Sequence, residues 1–338
     1  MNIPSLNFNN LKAKYGLMLV SGLASMLICL ALIMVFLTRS CVINNIKGHF
    51  DGLERFLQSI GYDFAYDRLD FYKLSPWQVM RVKNFRIYSL DEKDFWQWQA
   101  DEVSLDIGLF NSDNVELFWG GKQSVQHNSA QWDIGLPLSK TSVVLKDGAL
   151  KNLAFEAQSV KVKNLMDIEK LSFSLKHRAA PYLAAELDVK GVKIDDMTGW
   201  PLNKNIDHIY LNTYMQGEWD SEEQTSDAFY RWIEQGGNLA VSKLILNWKP
   251  LITVANGEVS FNEKVEPTVT LNTASLALLE TLDKLNENGF ISNKGAFVVK
   301  ILLNNKAVKH KKSDKYKTVV APFKASKDGI MLENIKLR

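Results

Sequence analysis

From Tyr15 to Thr38 the chain carries no charged side chain, and Leu17 to Leu37 within that stretch is dominated by Leu, Ile, Met, Val, Ala and Phe. Twenty-one helical residues span roughly 32 Å, which matches a bilayer hydrocarbon core of about 30 Å. A soluble core helix would show a polar face, whereas this segment is apolar all round. The segment therefore predicts a transmembrane helix over 15–39, with Leu17 and Leu37 bounding its apolar core. A cleaved signal peptide has a shorter apolar region, usually about 7–15 residues. Thr38 and Arg39 stand where a lipoprotein site would need a branched apolar and a small residue, which argues against lipidation at Cys41. Lys12 and Lys14 precede the span, so the tail 1–14 reads as cytoplasmic and everything after the span as outside.

After the span, Ile46, Phe50, Leu53, Phe56, Leu57 and Ile60 recur at spacings of three and four before Gly61, predicting an amphipathic juxtamembrane helix over 40–61. Period-two alternation then dominates. Val103, Leu105 and Ile107, then Leu171, Phe173 and Leu175, then Leu183, Ala185, Leu187 and Val189 all alternate with polar or small residues. Val259 and Phe261, Val269 and Leu271, and Val298 to Leu303 read as further strands. Asp147-Gly148, Asn256-Gly257 and Asp328-Gly329 read as turns, and Trp119-Gly-Gly-Lys-Gln-Ser124 as a hairpin turn. Two helices are predicted, one over 222–235 and one over 275–288 with Ser275 as its N-cap. The fold class is thus mainly β (β-rich α+β), with an N-terminal transmembrane helix followed by curved antiparallel sheets packed with a few short helices. The β-rich domain occupies 62–338, and the turn-rich stretch 199–205 marks a division into sub-units 62–200 and 201–338.

Several chemistries find no support. A net charge of +2 gives no bulk electrostatic case for nucleic acid. Cys29 and Cys41 are the only cysteines, so the domain has neither a disulfide framework nor a thiolate metal site, a composition that suits an oxidising compartment such as a periplasm. His49, His127, His177, His208 and His310 show no short metal-ligand spacing, and no G-x-S-x-G elbow occurs. Lys122 is followed by Gln123 and lacks the upstream glycine of a phosphate loop, while the pair Asp195-Asp196 reads as a solvated turn. The expectation is a non-enzyme without cofactor or metal.

The second half carries a more specific pattern. Gly237-Asn-Leu-Ala-Val-Ser-Lys-Leu-Ile-Leu-Asn-Trp248 is followed by Ala255-Asn-Gly-Glu-Val-Ser-Phe261, a strand at 269–271, a leucine-rich helix ending near Gly289, and a final arm Asp328-Gly-Ile-Met-Leu332. This order resembles a family of membrane-anchored proteins of Gram-negative, chiefly alphaproteobacterial, envelopes known only as a domain of unknown function. In outline it is similar to AsmA-like envelope proteins. The resemblance implies an inner-membrane anchor, a periplasmic β-rich domain and an association with lipid handling. It transfers no catalytic motif.

Two features then become candidate lipid contacts. Trp96 and Trp98 share one strand face and could line an apolar groove. Lys306, Lys309, Lys311, Lys312 and Lys315, with Lys317, form a basic run opposed by Asp314 alone, read as a hairpin tip between strands at 296–303 and 317–323. The expected partners are the bilayer itself and either a lipid ligand or an envelope protein. In the latter case the chain is a scaffold or accessory subunit, and Ser21, Gly22 and Ser25 would permit helix contacts within the span.

Overall fold

The computed structural model describes residues 61–337 together with Gln58, except for 73–77, 92–94, 109–110, 147–148, 178–182, 196–201, 218–224, 263, 311–312, 328 and 334. The predicted span 15–39 lies outside the described residues, as does the segment 40–61 apart from Gln58 and Gly61. Among the described residues no helix is long and apolar enough to cross a membrane.

The chain is mainly β, as the alternation predicts. In order come β1 (Tyr62–Ala65), β2 (Arg68–Phe71), β3 (Gln78–Ser89), β4 (Trp96–Gly108), β5 (Asn111–His127), β6 (Ala130–Gly135) and β7 (Leu138–Lys146). They are followed by β8 (Ala149–Val162), β9 (Met166–His177), β10 (Leu183–Ile194), β11 (Asn205–Gln216), helix α1 (Thr225–Glu234), β12 (Asn238–Trp248), β13 (Leu251–Phe261) and β14 (Pro267–Leu276). Helices α2 (Leu278–Glu287) and α3 (Asn293–Lys306) precede β15 (Val308–His310), β16 (Ser313–Ser326), β17 (Gly329–Leu332) and β18 (Ile335–Lys336). All 18 strands among the described residues belong to one sheet. Its neighbours are antiparallel and mostly consecutive, the pattern that short hairpin connections produce. On either side of the 196–201 stretch, β10 and β11 pair from Ala184↔Tyr214 to Lys193↔Asn205.

Four local expectations are corrected. The run at 296–303 is helical, not extended. Nearly every position there is apolar, so periodicity cannot separate a strand from a buried helix. Packing and capping decide it: Val299 and Leu303, four residues apart, enter a cluster with Leu282 of α2 and Val319 of β16, and Ala296, three residues before Val299, is buried as well. Ser292 caps the helix, its hydroxyl accepting the Gly295 N–H at 3.1 Å. Consequently the lysine run does not separate two long strands; it spans the end of α3, the short β15 and the start of β16.

Ser275 is not a cap. It is buried in β14, its hydroxyl 2.9 Å from that of Thr253, and α2 begins only after Ala277, which adopts a left-handed φ of 59°. Asn256-Gly257 is no turn but lies inside β13, where β14 approaches so closely that a Cβ on Gly257 would stand 2.0 Å from the Thr270 carbonyl oxygen. The Trp119–Ser124 segment is likewise not a hairpin turn but a bulge within β5. Gly121 has φ +75°, a Cβ there would meet the Asp101 side chain at 2.7 Å, and the Asp101 carboxylate accepts the Lys122 N–H at 2.8 Å.

Candidate functional site

The register of the sheet assembles a site that spans it from end to end. Phe71 of β2 stands opposite Met80 of β3, which stands opposite Leu105 of β4, then Leu117 of β5, Thr141 of β7 and Phe155 of β8. The same row continues through Phe173 of β9, Leu187 of β10, Leu211 of β11 and Leu244 of β12. It ends on Ala255 of β13, Thr273 of β14 and Ala321 of β16. Directly opposed residues share a face, so thirteen strands contribute one lane that holds no charged side chain. The bulges keep it in phase: Val241 and Leu244 both face it while Ser242 and Lys243, between them, are exposed.

Parallel rows widen the lane. On one side run Val115, Val143, Leu153, Leu175 and Ala185. On the other run Ala157, Leu171, Val189, Ile209 and Leu246. The opposite face of the same strands is different in kind. The row one position along reads Asp70, Arg81, Ser104, Phe118, Lys140, Glu156, Ser172 and Asp188.

Helices cover the lane unevenly. Leu282, Val299 and Leu303 of α2 and α3 pack on Val319 and Ala321, closing the β16 end. Trp232 of α1 donates its indole N–H to the Gln216 carbonyl at 2.8 Å and packs near Phe261, covering the strand ends of β11 and β13. Along the middle of the lane, on β8 to β12, Phe155, Phe173, Leu187, Leu211 and Leu244 are each only partly buried. Polar side chains on the lane are paired within the protein: Thr141 accepts the Trp119 indole N–H at 2.7 Å, and Thr273 donates to the Ala321 carbonyl at 2.8 Å.

Of the sequence-selected residues, both tryptophans lie on this face near its β4 end. Trp98 packs against the cluster of Met80, Val82, Ala100, Val103 and Leu105, its ring 5.0 Å from that of Trp119, and it donates to Gln123 Oε1 at 3.1 Å. Trp96 is half-buried, edge-on to Tyr62 at 6.2 Å. The lysines lie far along the sheet order. Lys306 pairs with Glu333 at 2.8 Å, Lys309 belongs to β15 and Lys315 to β16, and Lys317 donates to Asn304 at 3.3 Å. Lys311 and Lys312 lie outside the described residues. The structure thus places the tryptophans and the described lysines on separate elements, the former on β4 and the latter on α3, β15 and β16. Sequence reasoning missed the central positions Phe155, Phe173, Leu187 and Leu211. Their alternation was the available signal, but alternation alone does not say which strands stand side by side.

The opposite face also holds an ionisable cluster on β10 and β11. Asp188 accepts from His208 Nε2 at 2.7 Å and pairs with Lys190 at 3.2 Å. Partial burial pushes the Asp188 carboxyl up, but the hydrogen bonds from His208 and Lys190 and the Lys190 charge outweigh it, so its pKa lies below the ordinary value. A shallow cleft of about 280 Å³ nearby is lined by Ser174, Lys176, Glu186, Asn212 and Tyr214 among others. Among the described residues no group of three or more His, Cys, Asp or Glu is placed to hold a metal ion.

Residues 84–317 match the model of a family described as an uncharacterized protein conserved in bacteria, DUF2125. No curated protein and no solved structure matches the chain.

Proposed function

The chain belongs to DUF2125, an uncharacterised bacterial family, and on that premise we propose that it is a non-catalytic envelope module whose apolar lane accepts the acyl chains of lipid. In this reading the segment Leu17 to Leu37 anchors it in the inner membrane, with the β-rich domain in the periplasm. The supporting observation is the unbroken row from Phe71 to Ala321, uncharged at every strand and only half-buried at its centre. Apolar side chains held in this state lose little on contact with a hydrocarbon chain and gain about 25 cal/mol for each Å² withdrawn from water. Because the polar groups on the lane are internally paired, an acyl chain meets few unsatisfied donors.

The test is photo-crosslinking. The full chain is reconstituted with a phospholipid carrying a photoactivatable acyl chain, and the labelled peptides are mapped by mass spectrometry. Labels on Phe155, Phe173, Leu187 or Leu211 are expected. Labels confined to 15–39 would sink the proposal.

A second reading, a scaffold subunit of an envelope complex, draws on a different patch. On the opposite face of β13 and β16, Val254 and Val320 are 45% and 62% exposed and lie to either side of Ala274. In-cell crosslinking from position 320 that captures one defined protein would favour it.

A further inference from the structure

Helix α3 is apolar on two sides. Its inner side, Ala296, Val299 and Leu303, is buried. Its outer side carries Phe297 at 66% exposure, Val298 at 39%, Ile301 at 51% and Leu302 at 42%. Lys294, three residues before Phe297 and four before Val298, heads the same stripe and is exposed. A helix already packed on one face ordinarily turns polar residues outward, and one that is apolar all round is built for a second contact.

The charges beside the stripe say what that contact is. Helices α2 and α3 are joined over 288–292 and run antiparallel, so Asp283 of α2 pairs with Lys300, and Glu280 lies by Ile301 and Asn304 toward the C-terminal end of α3. Lys294 stands at the other end. Asp283 and Lys300 neutralise each other, whereas Glu280 and Lys294 have no ion-pair partner among the described residues. An acid at one end of an apolar stripe and a base at the other is a pattern that a two-fold axis across the middle of the helix satisfies. Two copies of α3 crossing antiparallel about an axis between Val298 and Ile301 set Phe297 against Leu302 of the second copy. The same axis brings each Lys294 to the second copy's Glu280, so one attractive contact is made twice. A groove of about 430 Å³ between α2 and α3, lined by Leu279, Glu280, Phe297 and Ile301 among others, lies on this face to receive an apolar side chain of the second copy. An anionic bilayer fits less well, because Glu280 and Asp283 at the edge of the stripe would face lipid phosphates.

We propose that the outer face of α3, with Glu280 of α2, is a self-complementary surface through which two copies of the chain associate about a two-fold axis. The surface is distinct from the apolar lane, and the inference stands without the acyl-chain reading. Because α3 packs on Val319 and Ala321, association brings together the β16 ends of two copies.

The full chain, purified in a mild detergent, is examined by sedimentation equilibrium. A dimer is expected. Phe297→Ser with Ile301→Ser, both at exposed sites, should weaken it by about tenfold or more while leaving the melting transition in place, which separates lost association from lost folding. Glu280→Lys and Lys294→Glu each set like charges opposite one another at both contacts and should each weaken the dimer by about fivefold. An equimolar mixture of these two variants should regain the parental affinity, because opposite charges then meet at both contacts of a mixed pair. A photo-crosslinker placed at position 297 in cells should join two copies of the chain. A monomer at every concentration, a dimer indifferent to the serine pair, no recovery in the mixture, or crosslinks from position 297 only to lipid or to another protein would overturn the proposal. Acyl-chain crosslinking at β8–β11 should survive every one of these variants, so failure here and failure of the lane are told apart.

Discussion

Phe155 of β8 and Phe173 of β9 stand directly opposite each other at the centre of the apolar lane, each partly open to solvent. Their neighbours Glu156 and Ser172 form the matching pair on the other face. This one-residue offset supplies an internal control. Phe173→Glu puts an unpaired carboxylate among apolar side chains and is expected to cut acyl crosslinking to β8–β11 by about tenfold or more. Ser172→Glu adds the same charge one position away and should leave crosslinking unchanged.

Trp232 and Gly237 form a second coupled pair. A Cβ on Gly237 would fall 2.3 Å from Trp232 Cε2, inside the indole ring that seats α1 on the sheet. Gly237→Ala should therefore lower stability by about 2 kcal/mol through overpacking, and Trp232→Ala by about 3–5 kcal/mol. Denaturant midpoints of the double variant check the mechanism. If the ring is what excludes the methyl group, the two costs combine to clearly less than their sum.

Asp188 predicts an acid-sensitive contribution to stability. Its folded carboxyl titrates below the ordinary value, so the stabilisation is fully present above the unfolded pKa of about 3.9 and is lost as pH falls through the folded pKa. Asp188→Asn should lower stability at neutral pH and flatten the acid limb of a melting-temperature profile. An unchanged acid limb would show that the contacts from His208 and Lys190 contribute nothing to stability.

Trp98 is bound into the β3–β5 cluster more firmly than Trp96. Trp98→Ala should cost about 3–5 kcal/mol and Trp96→Ala distinctly less. Trp98→Phe keeps most of the packing but leaves the Gln123 side chain, 3% exposed, without its indole donor. That variant should cost about 1–3 kcal/mol. Thermal melts of the three variants set the scale against which any change in lipid labelling near β4 is read.

Much of the fold was legible from alternation. The strands through Leu171–Leu175 and Leu183–Val189 needed only a period of two and one buried face, and the helix through Trp232 only its amphipathic spacing and the Gly236-Gly237 stop. The misreadings have one physical origin, which is that local chemistry does not encode tertiary neighbours. Ala296–Leu303 is apolar at nearly every position, so the decision fell to α2 and β16. Asn256-Gly257 has turn chemistry, but its glycine is needed for the close approach of Thr270. The candidate site was less legible still. Trp96 and Trp98 attracted attention as large aromatics, whereas the lane exists only because thirteen strands align particular residues, and register lies in the pairing rather than in any one segment.

At about 4.8 Å per strand, the twelve steps from Phe71 to Ala321 give the lane a contour of roughly 58 Å, about twice the ~30 Å thickness of a hydrocarbon core. It runs across the strands, so its reach is counted in strands and is indifferent to how long each one is. A hairpin inserted between any two neighbours would extend it by about 10 Å without altering a residue already on it. Such a sheet behaves as a ruler, graduated by hairpins.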